Sequence, residues 1–433
     1  MPLPTADPYL PGHGDRSWHA LRYDLSLEYA VEENRLRGEA RITGVALEDT
    51  PRIVADLAGL AVQKLTLDGK QPKWTHRADR VVVTPRSPLR EGQEFTLVVK
   101  YAGHPRPTIA PHHGDAGWEE LSDGVIVAGQ PHGAPTWFPC NDRMDDKASY
   151  AIEVTTQPGY TVVANGELVR RTRRGSGETW VYEQEQPMAP YLATVQIGRY
   201  ELTPLDPGEA GVPITVAAPA DADWRAAFGD QPAIMAAFVR LFGPYPFPAY
   251  AVVITGDDLE IPLESQSLST FGRDFLDPTW QRNRLVAHEL AHQWFGNTVT
   301  AATMRDIWLH EGFACYAEWL WSEESGHESA DHWARHYHRR LAGEPQDLLL
   351  GDPGPEDMFD DRVYKRGALL LHALRGEIGD DVFFELLQEW VRRHAGGSVT
   401  TADFITLAIE LSSENVSDLF EAWLVRPKLP ALD

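Results

Sequence analysis

The stretch LVAHELAHQWFGNT, Leu285 to Thr298, sets two histidines four residues apart with a glutamate directly after the first. On a helix turning about 100° per residue, His288 and His292 lie about 40° apart on one face, so both imidazoles can reach a single ion. Glu289 points off to the side. That offset suits it to take a proton from a metal-held water rather than to bind the metal.

Two histidines leave the site one ligand short. Glycine three residues and histidine six residues after His292 would complete one known set, but Phe295 and Thr298 stand there. A carboxylate from the next helix is the alternative, and DIWLHEGFACYAEW supplies Glu311, nineteen positions after His292. Two histidines, one glutamate and an open fourth position form a catalytic zinc set. Asp306, His310 and Glu318 compete for the third place, with Glu311 preferred. Glu318 shares the face of Glu311 but sits two turns further, about 10 Å along the axis, so the two cannot share an ion. It reads as an ordinary exposed glutamate ahead of a carboxylate that supports a ligand.

These residues need elements to hold them. From Trp18 to about Tyr200 short alternating runs such as YDLSLEY, EFTLVVKY and ASYAIEVTT are broken by turn signals such as TQPGY and RRGSGE, which predicts an all-β half. After TPLDPGEAGVP the period becomes 3.6. Helices are expected at Trp224 to Phe242, Gln281 to Phe295, Glu311 to Ser325, Asp331 to Leu341, Val363 to Ile378 and Asp380 to His394. One strand-like run, AYAVVITGDDLEIPLESQSLSTF, remains inside that half. The fold class is therefore α+β, with an N-terminal β domain over residues 1–205 and a mainly helical domain over 206–433.

Composition bounds the partners. The chain has 433 residues, 64 acidic against 39 basic, for a net charge of −25. Such a surface repels polyanions and argues against nucleic acid. It favours cationic ligands such as a peptide's free amino end, although solubility explains it as well. The N-terminus lacks a basic stretch followed by an apolar run, and no segment approaches ~18 consecutive apolar residues, so a non-exported, cytoplasmic protein without membrane attachment is expected. The two cysteines, Cys140 and Cys315, suit a reducing compartment. The oligomeric state is not legible.

Taken together, HELAHQWFGNTVTAATMRDIWLHEGFA resembles the zinc aminopeptidases related to aminopeptidase N, whose signature is HExxH, eighteen residues, then E. TWFPCNDRMDDKASYAIEVTT resembles the end of that family's β domain, FGPYPFPAYAVV the approach to its active-site strand, and VYKRGALLLHALR its catalytic-tyrosine segment. SDLFEAWLVRPKLPAL looks like the end of the catalytic domain, so the resemblance runs from about Trp18 to the C-terminus.

The resemblance implies a saddle-like β domain before a thermolysin-like catalytic domain. It implies one zinc per chain on His288, His292 and Glu311, with Glu289 as general base toward a zinc-activated water and Tyr364 stabilising the oxyanion. Substrates would be peptides with a free N-terminus, their amine held by Glu264, with Glu260 in reserve and Gln130 lining the same pocket. Three departures stand out. The family's GxMEN loop reads IPLESQS here, with Ile261 and Ser265 in place of Gly and Asn, and its asparagine before the ligand glutamate is His310. The large helical domain that usually follows in the family has no counterpart in this sequence, which implies a compact two-domain version. An endopeptidase with an open cleft, a small-molecule hydrolase of the wider family and a non-catalytic scaffold are the rival readings, the last opposed by the intact ligands, base and tyrosine.

Overall fold

The computed structural model describes residues 7–110, 112, 114–412 and 414–432. The chain divides into two compact units, one made of residues up to Pro204 with Thr215–Ala222 and Phe247–Asp274, the other of Leu205–Ile214, Asp223–Pro246 and Phe275 onward.

The first unit is β-rich. Its largest sheet runs Glu167–Arg174, Gly177–Met188, Ala148–Thr156, Trp18–Ala30, Arg35–Ala46, Glu94–Gly103 and Ala61–Leu67 from edge to edge. WHALRYDLSLEYA shows why these residues make strands. Tyr23, Leu25, Leu27 and Tyr29 alternate with polar side chains, so the two-residue period buries one face. Trp18–Ala30 pairs antiparallel with Arg35–Ala46 on one side and parallel with Ala148–Thr156 on the other. A five-stranded sheet, a three-stranded sheet and a four-stranded sheet complete the strands of this unit.

The four-stranded sheet explains why the compact units differ from a division at 205/206. Its order is Tyr200–Leu205, Ile214–Pro219, Tyr250–Ile254 and Leu268–Phe271, and the last two pair in parallel, Ala251 opposite Leu268. Pairing through the backbone keeps 215–222 and 247–274 with the strands before them. Parallel neighbours need a crossover of about a dozen residues, and the segment between these two strands carries Glu260 and Glu264.

The second unit is helical, with α1 Arg225–Phe228, α2 Gln231–Phe242, α3 Trp280–Ala291, α4 Trp308–Glu324, α5 Ala330–Leu341, α6 Asp361–Ile378, α7 Asp380–His394, α8 Thr401–Ser412 and α9 Ser417–Phe420. α4 is the core of this unit, buried from Trp308 to Leu320, and it packs against α3, α5 and α6. A helix apolar on every side belongs inside a domain. The polar side chains it carries, His310, Glu311 and Glu318, must therefore find partners there. Cys140 and Cys315 are free and buried. Among the described residues no helix is long and apolar enough to cross a membrane.

Candidate metal centre

α3 starts after Pro278 and buries Val286 to Ala291. It stops at Ala291, with His292 as its last helical-like residue, because the chain turns at Gly296 with φ +123. A side chain there would be strained and would bring a Cβ within 3.2 Å of His292 Nδ1, so glycine is required. The turn is closed by Asn297 N–H donating to His292 O at 3.0 Å and Gly296 N–H donating to Val299 O at 2.8 Å. Behind it Trp294 packs edge-on against Phe238 and Phe242 of α2 and donates its indole N–H to Gly243 O at 3.1 Å.

Each imidazole is oriented by a bond at its other nitrogen. His288 Nδ1 lies 2.8 Å from Glu318 Oε1 and His292 Nδ1 lies 3.0 Å from Phe295 O. Both partners only accept, so each Nδ1 carries a proton and each Nε2 is the nitrogen left to face Glu311 and, once deprotonated, to hold a metal. The two Nε2 atoms stand 3.5 and 3.4 Å from Glu311 Oε2. Three donors each about 2.0 to 2.1 Å from a tetrahedral zinc would be about 3.3 Å apart. The trio His288, His292 and Glu311 is the metal-capable group among the described residues, and all three are buried. Burial alone would push the Glu311 carboxyl up, yet the two imidazoles opposite hold it well below the usual carboxylate range.

Glu318 is not an exposed glutamate. It is 1% exposed, and besides His288 it accepts from Arg284 Nη1 at 2.8 Å. His292 near the end of α3 meets Glu311 near the start of α4, while Arg284 a turn before His288 meets Glu318, so the two helices run antiparallel. Against burial, Lys365 first, then Arg284 and His288, keep the Glu318 carboxyl ionised. The sequence held a clue: Arg284 lies one turn before His288 on the face that carries it. What it did not show is that α4 is buried all round, which turns a surface-like glutamate into a paired one. Replacing Glu318 by Gln should keep the fold and weaken metal affinity by about 10 to 100 fold, measured by competition with a chelator.

The other candidates fall as follows. Glu289 is buried on α3 beside His288. Tyr364, in the first turn of α6, lays its ring nearly parallel to that of His288, centroids 6.1 Å apart. His310 is not in the trio; its Nε2 accepts from the Ala301 N–H at 2.7 Å, tying the short strand Thr300–Ala301 to α4. Asp306 accepts from the backbone N–H and hydroxyl of Thr401 at the start of α8. Gln130, Glu260 and Glu264 are carried by loops of the β-rich unit. Glu264 is partly buried and Glu260 exposed, on a segment that folds back so that Leu263 pairs with Thr270. Gln266 in the same segment reaches Leu192 O, next to Tyr191, against which the Gly129 backbone packs just before Gln130.

The model of the peptidase family M1 domain matches residues 229–423, and that of the peptidase M1 N-terminal domain matches residues 19–192. The chain belongs to peptidase family M1. Among solved structures it is similar to an M1 zinc metallopeptidase from Deinococcus radiodurans at 31% identity and a TM-score of 0.90, covering 99% of this chain and 98% of that one. A mutant of that protein bound to a Tyr-Ser-Ala substrate gives 31% identity and a TM-score of 0.91, covering 99% of this chain and 98% of that one. Among curated proteins it is 24% identical to a probable aminopeptidase 1 of Sulfurisphaera tokodaii over 95% of this chain and 53% of the relative. It is also 24% identical to aminopeptidase N of Lactococcus lactis over 95% of this chain and 51% of the relative. The chain thus spans about half the length of these curated relatives.

Proposed function

We propose that the chain is a zinc aminopeptidase that hydrolyses the N-terminal peptide bond of peptides. The observation that carries this reading is the pair of imidazoles whose Nε2 atoms converge on Glu311 while their Nδ1 atoms are bonded elsewhere. The M1 relatives named aminopeptidase and the neighbour that binds a tripeptide support it. Zinc held by His288, His292 and Glu311 would supply a Lewis acid that acidifies a water and polarises the scissile carbonyl.

The chain's own groups do the rest. Glu289 takes the proton of the attacking water and passes it to the leaving nitrogen. Tyr364 donates its phenolic hydrogen to the carbonyl oxygen as that oxygen becomes negative. Glu264 pairs with the substrate ammonium, a charge-assisted bond that also excludes substrates extended at that end. Gln130 lines the same pocket, and Glu260 is the alternative anchor should the IPLESQS loop present that carboxylate instead.

Tyr364→Phe should lower kcat by roughly 10² with KM changed far less, and a change confined to KM would make it a binding or packing residue. Glu264→Ala should cost roughly 2 to 4 kcal/mol in kcat/KM for free-amine substrates, since it leaves an ammonium without its partner. The same loss in Glu260→Ala instead would transfer the role. The reading as a whole is tested with amino-acid anilides and their N-acetylated forms. Fast cleavage of the free amines alone is expected, and equal cleavage of both would make the protein an endopeptidase.

A further inference from the structure

Lys365 follows Tyr364 in the first turn of α6 and is 3% exposed. An ammonium is strongly hydrated, and packing alone at this place would be served by methionine or leucine at far lower cost. Its Nζ donates to Cys315 Sγ of α4 at 3.2 Å, lies 4.8 Å from the centroid of the Tyr337 ring of α5, and approaches Asp361 Oδ1 at 3.9 Å. Glu318 of α4 attracts it as well. Every one of these partners except Asp361 lies on another helix, so the side chain pins the start of α6 to α4 and α5.

The backbones of α4 and α6 touch nearby. A Cβ on Gly312 would fall 2.8 Å from Gly367 Cα, so the two glycines set how closely the helices approach. Such a contact fixes distance, and the rotation of the first turn about the helix axis is left to the side chains packed around it. A side chain inserted between α4 and α5 one residue from the tyrosine fixes that rotation, because successive residues are tied at about 100°.

We infer that Lys365 is a positioning residue for Tyr364: its ammonium, held by Cys315 and the Tyr337 ring, sets the rotation of the first turn of α6 that places the phenol beside His288. This rests on the reading of Tyr364 as the oxyanion donor.

The test compares zinc-loaded Lys365→Met, Tyr364→Phe and the double variant for kcat and KM on an amino-acid anilide, with a crystal structure of zinc-loaded Lys365→Met. Lys365→Met should keep its zinc, lose roughly ten to a hundredfold in kcat with little change in KM, and add almost nothing to Tyr364→Phe. The structure should show the Tyr364 ring moved from His288. An equal loss in both backgrounds, or an unchanged kcat in the single variant, overturns the inference. Should Tyr364→Phe itself keep full kcat, the oxyanion reading fails separately and the ring position decides: displaced supports positioning, unmoved overturns it. Lys365→Gln, which keeps a polar tip without the charge, takes the place of Lys365→Met if that variant does not fold, with the same outcomes.

Discussion

Glu289→Gln should purify with its metal in place and with turnover reduced by about 10² to 10⁴, the usual effect of removing a general base. The amide matches the carboxylate in shape, so the buried position on α3 tolerates it. Occupancy should persist because the converging donors belong to His288, His292 and Glu311, while Glu289, about 100° round the helix from His288, is not among them. Metal analysis beside kcat checks both halves of the expectation. Turnover near that of the unchanged protein would move the base to another residue, and loss of the metal would make Glu289 a ligand or its support.

Removing a ligand should have a larger effect still. Glu311→Ala leaves two imidazoles facing a space with no third donor, and His292→Ala leaves one imidazole and one carboxylate. A catalytic zinc set uses three protein ligands. After dialysis both variants should contain no zinc and show no hydrolysis. Full zinc occupancy in both would break the assignment of the trio.

Much of this was legible because helical spacing is local. His288 and His292 declare themselves by one turn of helix, and the predicted segments overlap α2 to α7. The ends are where local reading failed. α3 stops at Ala291, short of the expected Phe295, although Trp294 and Phe295 continue its apolar pattern, because Gly296 turns the chain. α4 begins three residues earlier than expected, at Trp308. α8 went unpredicted; its buried residues Phe404, Leu407 and Ala408 have helical spacing, and its start is held by Asp306, almost a hundred residues back. Glu318 and Lys365 were opaque for the same reason. Each is polar and reads as solvent-facing until distant helices close around it, and the charges of Arg284, Glu318 and Lys365 have meaning only together. The sheet that gathers 250–254 and 268–271 with earlier strands was likewise invisible, since pairing across long intervals leaves no mark in the period of either segment.

In the proposed reaction, hydrolysis depends on a metal held by His288, His292 and Glu311. The direct measurement is zinc titration into chelator-stripped protein, following cleavage of a free-amine anilide. The stripped protein should be inactive, activity should rise with added zinc to a sharp break at one ion per chain, and Glu311→Ala should show no rise. Undiminished cleavage by the stripped protein, or full recovery in Glu311→Ala, would mean that hydrolysis does not run through a metal on this trio.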